Sequence, residues 1–265
     1  MALTRPVTAV LLAGGPRDAV CTATPEAPNK AFVPIAGITL ARRTLAALRS
    51  TPQVGGVIAV APLGEPARTE LSGVDELRAD GPTMSQSLRS GLGGLPADEL
   101  VLVAASDLPI LSRAAIEEFL EIAERSGADV VYACVERACH EARFPSVPHT
   151  WARLRDGTYC GGGLVALRPR ALDALDRFLG KLGAARKNPL RLATIFGYDV
   201  LLRYATRQLR IADLERRASA LLGLPAAAAI CTHPEIAVNV DRPSDIALAE
   251  RLLAEPYTSR ASGTR

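Results

Sequence analysis

Apolar positions along this chain keep two different periods. Val7–Leu12 is a continuous apolar run that ends in Ala13-Gly14-Gly15, the pattern of a buried strand entering a turn. Ala41, Leu45 and Leu48 then recur at helical spacing and predict a helix over Leu40–Arg49. The same reading predicts strands at Gly56–Ala61, Glu99–Ala104, Asp129–Cys134 and Gly163–Leu167, with a short helix at Met84–Leu92. Ser112 is placed to cap a helix with Ile116, Phe119, Leu120 and Ala123 on one face. Strand and helix alternate, which implies an α/β domain: a doubly wound, mostly parallel sheet that takes ligands at the carboxyl ends of its strands.

The pattern changes between about Arg170 and Leu222, which reads as helical throughout and carries Arg186, Lys187, Arg191, Arg203, Arg207, Arg210, Arg216 and Arg217. We expect a helical insertion there, with the sheet resuming near Ile230 and Ala237–Val240 and a last helix starting around Pro243. One domain over residues 1–255 is the resulting expectation, followed by a small, polar tail at 256–265 that is expected to be disordered.

Composition narrows the partners. The chain has 265 residues, 48% of them hydrophobic, enough for one large core. Its net charge of +3 comes from interspersed acids and bases, a mild preference for anions and no case for nucleic acid. The five cysteines show no CxxC pair, so reduced thiols are expected; Cys134, Cys139 and His140 lie close together but lack a second ligand pair for a metal. No apolar run is long enough for a membrane span and no signal segment is recognised, so a cytoplasmic protein is expected.

The chemistry gathers at strand ends. Adjacent glycines after a buried strand let backbone amides approach a phosphate, and Lys30 on the same loop can neutralise a polyphosphate. The loop is not a P-loop, since no Gly-Lys-Ser/Thr occurs, and it lacks the G-x-G-x-x-G of dinucleotide folds. Asp107 follows Val101–Ser106, the strongest apolar strand run, and precedes Leu108-Pro109; metal binding and a turn or cap role both fit it. Near the end, Asn239 and Asp241 precede Pro243 and Asp245, and Asp241 reads equally well as a cap of the last helix.

With Lys30, Pro34 and Gly37 spaced behind Gly14-Gly15, the N-terminal run resembles the L-A-G-G…K-x-x-x-P-x-x-G opening of the MobA-like NTP transferases. Their nucleotidyltransferase superfamily includes molybdopterin guanylyl- and cytidylyltransferases, sugar-1-phosphate nucleotidyltransferases and cytidylyltransferases of isoprenoid precursors. The resemblance spans Val7 to Leu253 and implies a mixed, mostly parallel sheet of the nucleotide-diphospho-sugar transferase type. It also implies a Mg2+-dependent transfer of a nucleoside monophosphate from an NTP, CTP or GTP favoured, to a phosphorylated small-molecule acceptor.

Carried over by position, Leu12, Ala13, Gly14 and Gly15 would hold the triphosphate with Lys30. Asp107 matches the family's D-x-P metal ligand, and Asn239 or Asp241 its second ligand. Gly81, Thr83 and Ser87 match the turn and helix that border the base, though an ordinary capped helix explains them as well. Gly162, in Gly161-Gly162-Gly163, and Lys187 would face the acceptor; a β-bulge is the other reading of the glycines and a solvated face that of the lysine. One departure stands out: the slot of the family's triphosphate-gripping arginine is Ala19, leaving Arg17 as the available substitute. Two rival functions remain: transfer to a sugar, polyol or lipid-precursor phosphate, and a nucleotide-binding regulator without turnover.

Overall fold

The computed structural model describes residues 5–185, 195 and 197–254. Its centre is an eight-stranded sheet. The strands are β1 (Val7–Leu12), β4 (Val54–Ala61), β5 (Glu76–Ala79), β6 (Val101–Ala105), β7 (Val130–Glu136), β8 (Ala152–Leu154), β9 (Gly157–Leu167) and β10 (Ala226–Cys231). Two short strands, β2 (Pro34–Ile35) and β3 (Ile38–Thr39), form a separate hairpin. The order across the sheet is β10-β7-β9-β6-β1-β4-β5, with β8 paired to β9. All neighbours are parallel except β9, which runs antiparallel to β6, β7 and β8.

This order explains where a ligand can sit. The chain leaves β1 for β4 and β5 on one side, then returns to β6 on the other, so the direction of winding reverses beside β1. Leu12 pairs with Val60 and Ala105, which brings the glycine loop after β1 and the Ser106-Asp107 turn after β6 to one edge.

Side chains of β1 alternate between two apolar layers, as the two-residue period of a strand requires. Ala9 and Leu11 pack into the larger cluster with α1 (Leu40–Arg49) and α4 (Arg113–Ser126). Val10 joins Leu88 and Leu92 of α3 (Met84–Leu92) on the other face. Polar caps define the helix starts: Thr39, Thr83 and Ser112 each accept a backbone N–H of the following turn. The remaining helices among the described residues are α2 (Ala67–Glu70), α5 (Arg137–Arg143), α6 (Leu172–Ala185), α7 (Tyr198–Ala205), α8 (Ile211–Leu222) and α9 (Pro243–Ala254).

Several expectations shift in detail. The predicted strand at Ala237–Val240 is instead a 3-10 turn (Pro234–Ala237) and an extended link. The strands β5, β8 and the first half of β9 carry no clear apolar signature, because polar residues and glycines interrupt it. Three arginines of the helical segment serve it internally: Arg203 and Arg216 both pair with the buried Asp213, and Arg217 donates to the Ile195 carbonyl. Among the described residues, no helix is long and apolar enough to cross a membrane.

Candidate active site

Lys30 stands at the centre of the site. Asn29, almost fully buried, places it: the Asn29 side chain donates to the Ala13 carbonyl (3.0 Å) and accepts from the Ala31 N–H (2.9 Å), capping the 3-10 turn Lys30–Phe32. The lysine Nζ therefore projects across the glycine loop to Asp107 Oδ2 at 2.5 Å and Asp241 Oδ1 at 2.7 Å. Burial alone would lower the pKa of this ammonium. The Asp107 carboxylate, joined by Asp241, outweighs it and holds the group above the usual lysine range.

The two carboxylates meet because the link before α9 crosses the β6 turn, where the Val240 N–H donates to the Asp107 carbonyl (3.1 Å). The capping role that competed for Asp241 falls to Asp245. Its carboxylate accepts the backbone N–H groups of Asp241 and Arg242 at 3.0 and 2.8 Å, while the Asp241 carboxylate turns to Lys30. Asn239 lies two residues earlier on the same link and lines a cleft of about 350 Å³ together with Asp241, His149, Gly161 and Tyr132.

Two buried oxygens here lack any hydrogen-bond donor: Asp107 Oδ1 and Asn239 Oδ1. Orphaned acceptors at one strand edge, beside two carboxylates, are the donor chemistry a small hard cation takes up. Mg2+ commonly uses one or two protein carboxylates and completes its shell with substrate phosphates and water, so this set fits it.

The glycine loop already holds an anion. A Cβ on Gly14 would run into the Asp80 side chain, and the Gly15 N–H donates to Asp80 Oδ2 at 2.9 Å, with Gly15 at φ +110. Asp80 was not singled out from the sequence; its position at the end of β5, directly before Gly81, was the available signal. Leu12 and Ala13 lead into this loop, the latter anchored by its N–H on the Val60 carbonyl.

Other sequence candidates are placed differently. Arg17 donates to the carbonyls of Pro25, Ala27 and Cys21, so its guanidinium braces the proline-rich loop rather than reaching toward Lys30. Gly81 and Ser87 bond each other, and Thr83 caps α3, so this trio shapes the turn beside the loop. Gly162 is buried: a Cβ there would lie 3.0 Å from the Ile236 carbonyl and 3.1 Å from the Ala133 Cβ. It is closely packed at a point where the β7–β9 register shifts, and Gly161 is the glycine of the three that lines the cleft. Lys187 lies outside the described residues.

Beside the cleft, His140, His149 and Trp151 form an edge-to-face cluster, with the two imidazole centroids 4.4 Å apart. Burial, with His149 next to it, pushes His140 down to about 4. Cys139 is turned away onto the Thr232 carbonyl, and no group of three or more His, Cys, Asp and Glu arranged to hold a metal occurs among the described residues. A cation placed here would rely on two carboxylates and an amide oxygen.

Comparison with known proteins identifies the family and the fold. The MobA-like NTP transferase domain family matches residues 9–194. A hypothetical transferase from Thermus thermophilus is 32% identical, with 92% of this chain and 100% of that chain covered and a TM-score of 0.80. The 2-C-methyl-D-erythritol 4-phosphate cytidylyltransferase of Thermus thermophilus is 21% identical (94% and 100% covered, TM-score 0.53). A CMP:2-keto-3-deoxy-manno-octonic acid synthetase in complex with CTP is 15% identical (95% and 99% covered, TM-score 0.57). The last two share the fold. No curated protein matches the sequence.

Proposed function

The chain belongs to the MobA-like NTP transferase family and is a nucleotidyltransferase, and from that premise we propose that it moves a nucleoside monophosphate from an NTP to a phosphorylated small-molecule acceptor, releasing pyrophosphate. The observation that carries the reading is the Lys30 ammonium held between Asp107 and Asp241, beside the unpartnered oxygens of Asp107 and Asn239.

Asp107, Asp241 and Asn239 would hold Mg2+, which when bound neutralises phosphate charge and polarises the α-phosphoryl group. Release of the two carboxylates frees Lys30 to follow the triphosphate, where its compact charge stabilises the equatorial oxygens of the transition state. The Gly14 and Gly15 amides bind phosphate oxygens once Asp80 withdraws from Gly15, so nucleotide and Asp80 compete for one cradle. The cleft lined by Asn239, His149 and Gly161 receives the acceptor phosphate and orients one of its oxygens toward the α-phosphorus.

Thermal stability against CTP, GTP, ATP and UTP, each with and without Mg2+, tests this first. A ligand at 100 times its dissociation constant adds about 2.7 kcal/mol to the native state. A Mg2+-dependent shift with one nucleotide, lost in Asp107→Ala, supports the reading; no shift with any of the four refutes it. The bracing role of Arg17 leaves no arginine in the Ala19 slot, which favours a second reading as a nucleotide-binding regulator. Pyrophosphate release, with Lys30→Ala as control, decides between the two.

A further inference from the structure

Among the described residues, the sheet face that carries α3, α6 and α8 is incompletely filled. A groove of about 600 Å³ runs across it from β1 to β10, with walls that are aliphatic and aromatic almost throughout. Glu215, the one charged residue among those described in its wall, is turned onto the Ala228 N–H at 2.9 Å, which leaves the interior apolar. The groove-facing residues of α8 and β10, Ala218 and Ala228 among them, stay half-buried. Interiors pack to crystal-like density and leave few voids larger than a water, so a space of this size and character is suited to an apolar occupant.

Its position identifies that occupant. One end of the groove is lined by Leu12, directly before the glycine loop, and by Met84, which is 69% exposed beside the Gly81 turn. At another point its wall is Tyr132, which also lines the polar cleft of Asn239 and Asp241. Tyr132 crosses over Gly161, where a Cβ would collide with its hydroxyl. The polar cleft proposed for the acceptor phosphate and an apolar groove thus share one wall.

We propose that the acceptor is amphipathic: a phosphate monoester whose phosphate enters the cleft and whose hydrocarbon portion lies in the groove behind Tyr132. This rests on the transferase reading. A non-bridging oxygen of the acceptor phosphate bonds to the α-phosphorus of the NTP, and the bond from that phosphorus to the bridging oxygen of the β-phosphate breaks. Pyrophosphate departs with that electron pair, and the product is a diphosphate diester joining nucleoside and apolar alcohol.

Two measurements on the full chain test the proposal separately from the transferase reading. The first titrates the apolar fluorophore N-phenyl-1-naphthylamine and displaces it with dodecyl phosphate or inorganic phosphate. Saturable binding is expected, displaced by dodecyl phosphate and not by inorganic phosphate at equal concentration. Ala218→Trp and Ala228→Phe, which fill the groove away from the glycine loop, should weaken probe binding at least tenfold while the Mg2+-dependent NTP shift persists and reports intact folding. Absence of saturable binding, as when the chain's own residues fill the groove, or equal binding in both variants overturns the proposal whether or not NTP binds. The second measurement is NTP-dependent pyrophosphate release with geranyl phosphate or dodecyl phosphate, which separates a branched isoprenoid from a straight chain. Release with either, and a tenfold higher acceptor KM in Ala218→Trp at unchanged NTP KM, is expected; release with neither overturns it. Loss of the NTP shift in the wild type with probe binding intact would instead bring down the transferase reading, and with it the acceptor assignment, while the apolar groove stands.

Discussion

Replacing Lys30 by methionine removes the cation that joins Asp107 to Asp241 while keeping most of the side-chain volume. The contributions are unequal. Asp241 is 64% exposed, so its pair with Lys30 contributes at most about 1 kcal/mol. Asp107 is only 10% exposed and Lys30 27%, and stripping the partner from a fully buried pair costs about 3–5 kcal/mol. Partial solvent access reduces that to about 2 kcal/mol here, giving a total near 2–3 kcal/mol. At roughly 2–4 °C per kcal/mol for a domain of this size, Lys30→Met should melt about 4–12 °C below wild type in EDTA. Mg2+ should then recover much of the loss, because two carboxylates and the Asn239 oxygen remain without a competing ammonium. The Mg2+-induced rise in Tm is therefore larger in the variant than in wild type, although turnover falls by at least about 10²-fold. Differential scanning fluorimetry in EDTA and in graded Mg2+ measures both stabilities. A variant within about 1 °C of wild type in EDTA, or an identical Mg2+ response, refutes the idea that lysine and metal share these oxygens.

Three further outcomes follow from the same geometry. Asp241→Asn and Asn239→Ala should each raise the Mg2+ needed for half-maximal turnover about tenfold, and a metal titration of initial rates that leaves Asn239→Ala unchanged would remove it from the ligand set. Gly162→Ala should cost about 1–3 kcal/mol from crowding against Ile236 and Ala133, seen as a lower Tm, while the acceptor KM stays at its wild-type value. His140 titrates near 4 in the fold and near 6.5 unfolded, so the unfolded chain binds an extra proton between those values. Stability is thus lost as pH falls through that window, on the order of 2 kcal/mol by about pH 4.5, and a Tm-against-pH profile of His140→Phe should be visibly flatter than wild type.

Much of the site was legible because it depends on local backbone demands. Gly14-Gly15 after an apolar run, Lys30 on the following loop and Asp107 past a buried strand each announce themselves within a few residues. The roles of Asp241, Arg17 and Gly162 were not legible in the same way. Asp241 and Gly162 each satisfied two local readings and Arg17 one, and the contacts each now makes were set by the folded chain. Asp245 took over the helix cap and left Asp241 to Lys30, the loop carbonyls claimed Arg17, and the Ile236 carbonyl claimed the space above Gly162.

The sequence by itself determined the α/β class, the glycine loop and the acidic residues at the carboxyl strand ends, since hydrophobic period and glycine placement act over one element at a time. Only the tertiary structure decided that Asp80 sits in the glycine cradle, that β9 runs against its neighbours, and that an apolar groove shares a wall with the polar cleft. Those features arise where elements distant in sequence compete for the same space or the same hydrogen-bond donor, and no local pattern encodes the winner.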